Sequence, residues 1–418
     1  MRRIAILGYG LEGKSLLSYF RKDRDAEITV LDRDKTLKIP SGVKQVLGRN
    51  YLKGLSKFDV IFRSPGVPYN LLEIQRVKKN VSSLTRLFFE KALEKKAKII
   101  GVTGSVGKTT TATLLYKILK NVEKDVFLAG NIGINALSHL KKMNSRSIIV
   151  MELSSFQLQD LDISPNVAVV LDIFEEHLDR HKNFREYLEA KGNITRHQRK
   201  SDAVVYFSDN IFSRKIARLS PGRKIPVSSA KAERERFRLR MPGKYNLKNA
   251  LAAKKTALLF AAPVKVIRSV IENFSGIEHR LEFVRNFKGV LYYNNSKATN
   301  VGSAVGGVDT FAEKKIVLAG GYNKNLNLLP LVRRLSRPDV RSAVFFGKCR
   351  GQLVRLSKKI KFSDFILSKN LTRAVRSAGR LAQRGDVVLL SPGTASFDEF
   401  KNYEERGRKF KDLVRKLK

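Results

Sequence analysis

The chain has 418 residues, 43% of them hydrophobic, and a formal net charge of +44. This length predicts about three domains, and the apolar content excludes a disordered chain. No apolar run approaches the ~18 residues that a membrane span needs, and the chain starts with a strand-like run instead of a signal peptide. The one cysteine, Cys349, excludes an internal disulfide and a multi-cysteine zinc site, so we expect a cytoplasmic protein.

The positive charge is spread along the whole chain. A dedicated nucleic-acid surface usually concentrates its charge and adds stacking aromatic residues, and this chain has no tryptophan. A strongly positive field attracts anions in general, including nucleotide substrates. We therefore interpret the charge as a solvated basic surface, and expect no dedicated nucleic-acid or membrane partner.

The first predicted elements are a strand, a glycine turn and a helix in "RIAILGYGLEGKS". Gly8, Gly10 and Gly13 have the spacing of a loop that holds a dinucleotide diphosphate at a helix N-terminus, and Asp32 ends the next apolar run. This pattern alone leaves two ligands open, a dinucleotide or another molecule that contains a diphosphate.

A second phosphate-binding pattern follows the apolar run "KIIGVTG" and precedes a helical segment. In "GSVGKTT" (104–110) the glycines allow backbone N–H groups to converge on phosphate oxygens. Lys108 is expected to reach the outer phosphates of ATP, and the Thr109 hydroxyl to bind magnesium. A dehydrogenase has no use for a triphosphate loop, so two such loops favour an enzyme that takes ATP and a nucleotide-linked substrate.

Further along the chain, two residue types suit a metal-assisted reaction, a carboxylate and a histidine. Glu152 ends the apolar run "SIIVME", where a carboxylate can hold magnesium beside a phosphate loop. His177 and His181 are four residues apart, but no third zinc ligand is evident, so we expect His177 to bind a second cation and His181 to be an ordinary solvated histidine. The segment "YLEAKGNI" predicts that Lys191 lies on a helix.

Continuous apolar runs alternate with helical segments through the whole chain. This alternation predicts an α/β protein with parallel sheets. We place the limits of three domains at 1–96, 97–277 and 278–418.

Motifs in the order and approximate spacing of a known family cover essentially all 418 residues. They include "LGYGLEGKS", "RSPGVP", "GVTGSVGKTT", "GNIG", "ELSSFQL", "EEHLDRH", "YLEAKGNI", "YNLKNALAA", "EHRLE", "NNSKATN", "LAGGYNKN" and "LLSPGTASFDEFKNYEERG". Together they resemble the Mur ligases, the ATP-dependent amide ligases of peptidoglycan precursor synthesis. The combination of "ELSSFQL", "SKATN" and "SPGTASFDEF" is most similar to the members that add D-glutamate.

The resemblance implies a Rossmann-like N-terminal domain for the UDP-linked substrate, a central P-loop ATPase domain, and a C-terminal Rossmann-like α/β domain for the amino acid. The implied activity joins D-glutamate to UDP-N-acetylmuramoyl-L-alanine through an acyl phosphate. The implied cofactors are ATP and two Mg²⁺ ions, and we expect a monomer whose partners are these small molecules.

The resemblance also assigns site residues. Those implied in catalysis are Lys108, Glu152, His177 and Lys191. Those implied in metal binding are Thr109, Glu152, His177 and Lys191, the last as a carbamate. Those implied in ATP binding are Gly104, Ser105, Gly107, Lys108, Thr109, Thr110, Asn246, Asn249, Arg280, Asn295 and Lys297. Those implied in substrate binding are Gly10, Leu11, Gly13, Lys14, Ser15, Asp32, Arg33, Ser64, Pro65, Gly66, Asn131, Ser154, Thr299, Lys324, Ser396 and Tyr403.

The chain departs from the family pattern at Val106, Tyr245 and Asn295. Three alternatives to D-glutamate addition stay open at this point. They are a sister ligase that adds another amino acid, a dehydrogenase suggested by the first glycine turn, and a nucleic-acid-stimulated ATPase suggested by the net charge.

Overall fold

The structure is a computed structural model that describes residues 1–131, 136–176, 180–241, 243 and 245–417. Its described residues form three β-sheets, each combined with helices. Within these ranges no helix has the length and apolar character needed to cross a membrane. The predicted α/β fold class is confirmed.

The first sheet has five parallel strands in the order β3-β2-β1-β4-β5. The strands are β1 (Arg2–Leu7), β2 (Ala26–Asp32), β3 (Lys44–Leu47), β4 (Val60–Arg63) and β5 (Val81–Ser82). The accompanying helices are α1 (Leu11–Phe20), α2 (Leu72–Arg76) and α3 (Leu84–Glu94). The centre of β1 is fully buried, as a parallel strand covered on both faces requires.

The second sheet has six parallel strands in the order β11-β10-β9-β6-β8-β7. The strands are β6 (Lys98–Thr103), β7 (Val126–Gly130), β8 (Ile148–Glu152), β9 (Val167–Val170), β10 (Ala203–Phe207) and β11 (Arg223–Val227). The helices of this region are α4 (Lys108–Lys120), α5 (Ala136–His139), α6 (Ser155–Leu158), α7 (Phe184–Arg196), α8 (Ile211–Arg218), α9 (Ser229–Arg234), α10 (Tyr245–Leu258) and α11 (Val264–Asn273).

The third sheet is mixed, with strand order β12-β13-β17-β14-β15-β16. Its strands are β12 (Glu282–Phe287), β13 (Val290–Asn294), β14 (Lys315–Gly320), β15 (Val340–Phe346), β16 (Phe365–Leu367) and β17 (Val387–Leu390). Only β12 runs antiparallel to its neighbour among the described strands. The helices are α12 (Val301–Asp309), α13 (Leu329–Leu335), α14 (Arg350–Lys359), α15 (Leu371–Leu381) and α16 (Tyr403–Arg415).

The chain folds into two compact units. The first comprises Met1–Phe237 and Leu247–Ile271, and the second comprises Arg238–Asn246 and Glu272–Lys418. The first unit therefore holds the first two sheets, and the second unit holds the third sheet. The domain limits 1–96, 97–277 and 278–418 stay a prediction.

In the first unit, one hydrophobic core joins the two sheets. It contains Ile4 and Phe62 from the first sheet, Ile149 from the second, and Phe88 and Phe89 of α3 between them. A buried ion pair adds a polar link, because the Arg63 guanidinium at the end of β4 lies 2.7 Å from the Asp160 carboxylate after α6. The two sheets therefore form one packed body, which fixes the distance between the strand ends that build the site.

In the second unit, α16 carries a fully buried cation. The Arg406 guanidinium donates hydrogen bonds to Ser296 Oγ at 3.0 Å, Ser296 O at 2.9 Å, Thr394 O at 3.2 Å and Ala395 O at 3.1 Å. Burial lowers the pKa of Arg406 to about 10, so the group stays protonated at neutral pH. The Arg406 hydrogen bonds connect α16 to the loops that follow β13 and β17.

We expect Arg406→Leu to destabilise the second unit by about 3 kcal/mol, because buried carbonyl groups lose a charged donor. Arg408→Leu is the matched control, since Arg408 is exposed two residues later on the same helix. Thermal unfolding of both variants, with hydrogen exchange in β13 and β17 followed by mass spectrometry, measures the effect. Equal protection of the two variants would show that the buried network does not stabilise this unit.

Candidate active site

A cavity of about 840 Å³ lies in the first unit, where the carboxyl ends of strands from both sheets meet. The loops after β1, β2 and β4 form one side, and the regions after β6 and β8 form the other. The sequence-predicted residues that line it are Gly10, Leu11, Asp32, Arg33, Ser64, Pro65, Gly66, Lys108, Asn131, Ser154 and Lys191. Ligand sites in open α/β sheets are usually found at such strand ends.

The first glycine turn is closely packed against the loop after β4. Ser64 Oγ donates to Gly8 O at 2.8 Å, and a Cβ added at Gly8 would lie 2.9 Å from Ser64 Cβ at a φ of +93°. Gly13 also packs on this turn, since its added Cβ would lie 2.2 Å from Gly8 O. Both positions therefore require glycine for the turn and for the close approach of α1.

Asp32 is held in place by backbone donors at the end of β2. Its Oδ2 atom accepts from Tyr9 N at 2.7 Å, and its Oδ1 atom accepts from Asp34 N at 2.9 Å. Gly13, Lys14 and Ser15 do not line the cavity, and Ser15 Oγ donates to Leu11 O at 2.8 Å. The structure thus brings Asp32 to the cavity and leaves Lys14 and Ser15 outside it.

The second glycine loop ends at Gly107, which precedes α4 with a φ of +83°. A Cβ added there would lie 2.6 Å from the Asn249 side-chain oxygen, so Asn249 of α10 lies against this loop. Lys108 Nζ donates to Gly104 O and to Ser105 O, both at 2.8 Å. Thr109 is buried in the first turn of α4, and Thr110 follows it.

Lys191 lies on α7, as predicted, and is almost completely buried. Its Nζ atom donates to Gly104 O at 2.9 Å and to Thr103 Oγ1 at 3.4 Å, and lies 4.7 Å from the centroid of the Tyr187 ring. Burial, followed by the nearby charge of Lys108, lowers the pKa of Lys191 well below its usual range, against the opposite effect of Glu176. Burial at this position therefore favours the neutral amine form of Lys191 over the ammonium form.

Glu152 offers an oxygen atom that suits a cation. Its Oε1 atom accepts from Asn131 Nδ2 at 3.2 Å, while its buried Oε2 atom has no hydrogen-bond partner among the described residues. Hard cations such as Mg²⁺ prefer carboxylate oxygens. The predicted metal residue His177 lies outside the described residues, and within those residues no group of three or more His, Cys, Asp or Glu side chains is close enough to hold a metal.

His181 is not the solvated histidine that we expected. It is 2% exposed, stacks on Phe156 with ring centroids 5.1 Å apart, and its Nε2 atom lies 3.0 Å from Ser155 Oγ. Aromatic packing on both Phe156 and Tyr187 explains the burial, which the pattern "DRH" alone does not reveal.

The cavity has further lining residues that sequence analysis missed: Glu12, Tyr51, Phe156, Gln157, Arg180 and Tyr187. Gln157 belongs to the quoted motif "ELSSFQL", and Tyr187 lies one helical turn before Lys191 on α7, so both had a detectable pattern. Arg180 donates to Pro65 O at 3.1 Å and to Gly66 O at 2.9 Å, a contact that the sequence does not indicate.

The remaining predicted residues lie in the second unit, apart from Asn249. Asn295 Nδ2 donates to Ser391 Oγ at 3.1 Å, and Lys297 Nζ lies 5.8 Å from the centroid of the Tyr403 ring. Lys324 Nζ lies 4.6 Å from the centroid of the Phe397 ring, next to Ser396 in sequence. The others in this unit are Asn246, Arg280 and Thr299.

Two family models match the chain. The Mur ligase middle domain matches residues 102–229, and the Mur ligase MurD-like N-terminal domain matches residues 2–85. These ranges contain the two glycine loops and most of the residues that line the cavity.

Two solved structures are similar in fold. MurF from Acinetobacter baumannii gives a TM-score of 0.60 at 17% identity, with 99% of this chain and 93% of that chain covered. UDP-N-acetylmuramate-alanine ligase MurC from Thermotoga maritima gives a TM-score of 0.57 at 15% identity, with both chains fully covered. These similarities support the α/β fold.

Curated relatives extend over the whole chain. UDP-N-acetylmuramoylalanine–D-glutamate ligase of Acetivibrio thermocellus is 36% identical, with 100% of this chain and 97% of the relative covered. The enzymes of the same name from Clostridium acetobutylicum and Symbiobacterium thermophilum are 34% and 33% identical, with at least 97% of each relative covered. The chain therefore belongs to the Mur ligase family, together with these UDP-N-acetylmuramoylalanine–D-glutamate ligases.

Proposed function

We propose that this protein is an ATP-dependent ligase that adds D-glutamate to UDP-N-acetylmuramoyl-L-alanine in peptidoglycan precursor synthesis, releasing ADP and phosphate. The observation that carries the proposal is full-length similarity to ligases of that name, at 36% identity for the relative from Acetivibrio thermocellus. The cavity supports it, because residues of the first glycine turn line it together with Lys108 of the second glycine loop. An enzyme that brings a UDP-linked carboxylate to ATP needs this combination.

The proposed reaction has two steps. The L-alanine carboxylate of the substrate attacks the terminal phosphorus of ATP, which gives an acyl phosphate and ADP. The D-glutamate amine then attacks the acyl carbon, loses a proton, and phosphate leaves. Lys108, once it reaches the outer phosphates, reduces the repulsion between the triphosphate and the carboxylate.

In the first unit, the first glycine turn and α1 would hold the diphosphate of the UDP group, since a helix N-terminus favours an anion. Asp32, fixed by Tyr9 N and Asp34 N, would lie near the uridine. Asn131 would contact the muramoyl part.

Four residues would hold magnesium. We assign the two expected ions to Thr109, Glu152, His177 and a carbamate on Lys191, and the unpartnered Oε2 atom of Glu152 supports this assignment. Bound magnesium would supply charge screening for the phosphoryl group.

Lys191 is suited to carbamylation. A neutral amine can attack the carbon of CO₂ and lose a proton, which gives an anionic carbamate. Burial and Lys108 favour the neutral amine, as the lowered pKa of Lys191 shows. The carbamate would then carry a negative charge next to Lys108.

In the second unit, we assign the nucleotide contacts to Asn246, Arg280, Asn295 and Lys297. Lys324, Ser396, Thr299 and Tyr403 would surround the D-glutamate carboxylates and the transferred phosphoryl group. We further propose that the protein works as a monomer.

Phosphate release tests the function. Phosphate release should be well above background only when all four components are present: ATP, Mg²⁺, UDP-N-acetylmuramoyl-L-alanine and D-glutamate. Any mixture that lacks one of them should release much less phosphate. Release with another amino acid in a panel would indicate a sister ligase. ATP hydrolysis that increases with DNA or RNA and does not depend on the muramoyl substrate would contradict the proposal. Tight NAD(H) binding measured by calorimetry would also contradict it.

We expect Lys191→Ala to reduce turnover by about 100-fold or more, because the metal site loses an anionic ligand. Lys182→Ala is the matched control, since Lys182 is exposed just before α7. The turnover of both variants is measured as phosphate release. A short-chain carboxylate added to the Lys191→Ala enzyme should restore part of its activity. Full activity of that variant without additive would remove Lys191 from the mechanism.

Glu152→Gln should raise the Mg²⁺ concentration that gives half-maximal turnover by about tenfold or more, since a neutral amide is a weaker ligand for a hard cation. Glu189→Gln controls for the loss of a negative charge at an exposed position. A magnesium titration of phosphate release at saturating ATP checks the prediction. An unchanged Mg²⁺ requirement with normal turnover would mean that Glu152 is not a ligand.

A further inference from the structure

Glu12 is a carboxylate in the wall of a cavity assigned to an anionic substrate. It occupies the first turn of α1, between Gly10 and Gly13, and lines the 840 Å³ cavity. Its Oε1 atom accepts a hydrogen bond from Gln157 Nε2 at 3.2 Å. An acidic side chain at this place is unexpected, because it would repel the diphosphate that the turn is proposed to hold.

The orientation of the Gln157 amide fixes where a proton on Glu12 would lie. Gln157 Oε1 accepts from Ser154 N at 3.1 Å, and a backbone N–H can only donate, so Gln157 Nε2 is the donor to Glu12. Glu12 Oε1 is therefore an acceptor in either protonation state, which leaves Oε2 to carry the proton. Glu12 Oε2 is buried and has no hydrogen-bond partner in the part of the chain that the structure describes.

The surroundings disfavour the ionised form of this buried oxygen. Burial raises the pKa of Glu12 to about 7, against the hydrogen bond from Gln157 and the charge of Arg63, while Asp160 acts in the same direction as burial. A buried carboxylate oxygen without a partner is costly when charged. Glu12 therefore changes its protonation state near neutral pH already in the absence of ligand.

Other charged groups line the same cavity. They are Asp32, Arg33, Lys108, Arg180 and Lys191, with the Arg63–Asp160 pair behind Gln157. Tyr51 and Tyr187 are its remaining titratable lining groups among the described residues. Arg33, Lys108 and Arg180 attract an anionic ligand, and ionised Glu12 and Asp32 oppose it.

We propose that Glu12 couples binding of the diphosphate-bearing substrate to the uptake of one proton, so that affinity for this substrate falls as pH rises above neutral. The inference rests on the proposed function for the identity of the substrate. A bound diphosphate adds negative charge near Glu12 and stabilises its protonated form further. Since the diester-type diphosphate and the carboxylate of the substrate do not titrate near neutral pH, the proton comes to the protein.

Isothermal titration calorimetry of the full chain with UDP-N-acetylmuramoyl-L-alanine, in buffers that differ in ionisation enthalpy, measures the proton count. If binding raises the pKa of Glu12 by one unit, we expect uptake of about half a proton at about pH 7.5. Affinity should then fall about fivefold or more between about pH 6 and about pH 8.5.

Glu12→Gln mimics the protonated side chain, because it keeps the acceptor for Gln157 and carries no charge. This variant should bind the substrate with about half a proton less uptake and with affinity that changes less than about twofold over the same pH range. Glu73→Gln, at an exposed position on α2, is the control and should keep the wild-type proton count. A thermal unfolding curve shows whether each variant is folded.

Binding of the substrate to the wild-type protein without proton uptake overturns the inference and leaves the proposed function intact. Equal proton uptake by wild type and folded Glu12→Gln also overturns it, since another group would then take the proton. No binding of UDP-N-acetylmuramoyl-L-alanine, together with no phosphate release, contradicts both proposals.

Discussion

Two lysine side chains share one buried carbonyl oxygen in the site, and their proximity disfavours a positive charge on the more deeply buried lysine, Lys191. Lys108 Nζ and Lys191 Nζ lie 2.8 and 2.9 Å from Gly104 O. Lys108 is half-buried at the start of α4, whereas Lys191 is enclosed by α7 and the end of β6, and its burial lowers the pKa of Lys191 well below its usual range. The Lys191 amine thus lies beside the lysine of the phosphate loop. Converting that amine to a carbamate would place a negative charge beside Lys108 and make the pair attractive.

The walls of the cavity are held in place by packing between the first two sheets. Its two sides come from different sheets, yet Phe88 and Phe89 of α3 pack in a core that both sheets share. The Arg63–Asp160 ion pair links the same two regions. A substrate that contacts both glycine loops therefore meets a preformed surface within the first unit, and little ordering entropy is lost there on binding.

Much of this architecture follows from local patterns. The runs "SIIVME" and "KIVLAG" are continuous and apolar, so they predict the buried strands β8 and β14. The two glycine loops predict where α1 and α4 begin. By contrast, β12 is an edge strand, so none of its residues is fully buried and it has a charged residue in its middle. Its antiparallel direction depends on the strand with which it pairs, and its own sequence does not specify that strand. In the site, Glu152 was found from its place at a strand end, whereas Lys191 was singled out only by the family resemblance, because a lysine on a helix is usually solvated. Glu12 and Arg180 were missed, because their roles depend on contacts with residues 145 and 115 positions away along the chain.

The buried guanidinium of Arg406 has a consequence for how the second unit responds to ionic strength. Most of the positive charge of this +44 chain lies on exposed lysine and arginine side chains, whose attraction for anions fades as salt is added. Arg406 lies against the backbone of Ser296, Thr394 and Ala395, immediately before Lys297 and Ser396 in sequence, with no exposed surface. Counterions cannot reach the guanidinium directly, so salt screens its charge less than it screens the exposed cations. The attraction of Arg406 for anions at these loops should therefore fall less steeply with added salt than the attraction of the surface lysine and arginine side chains.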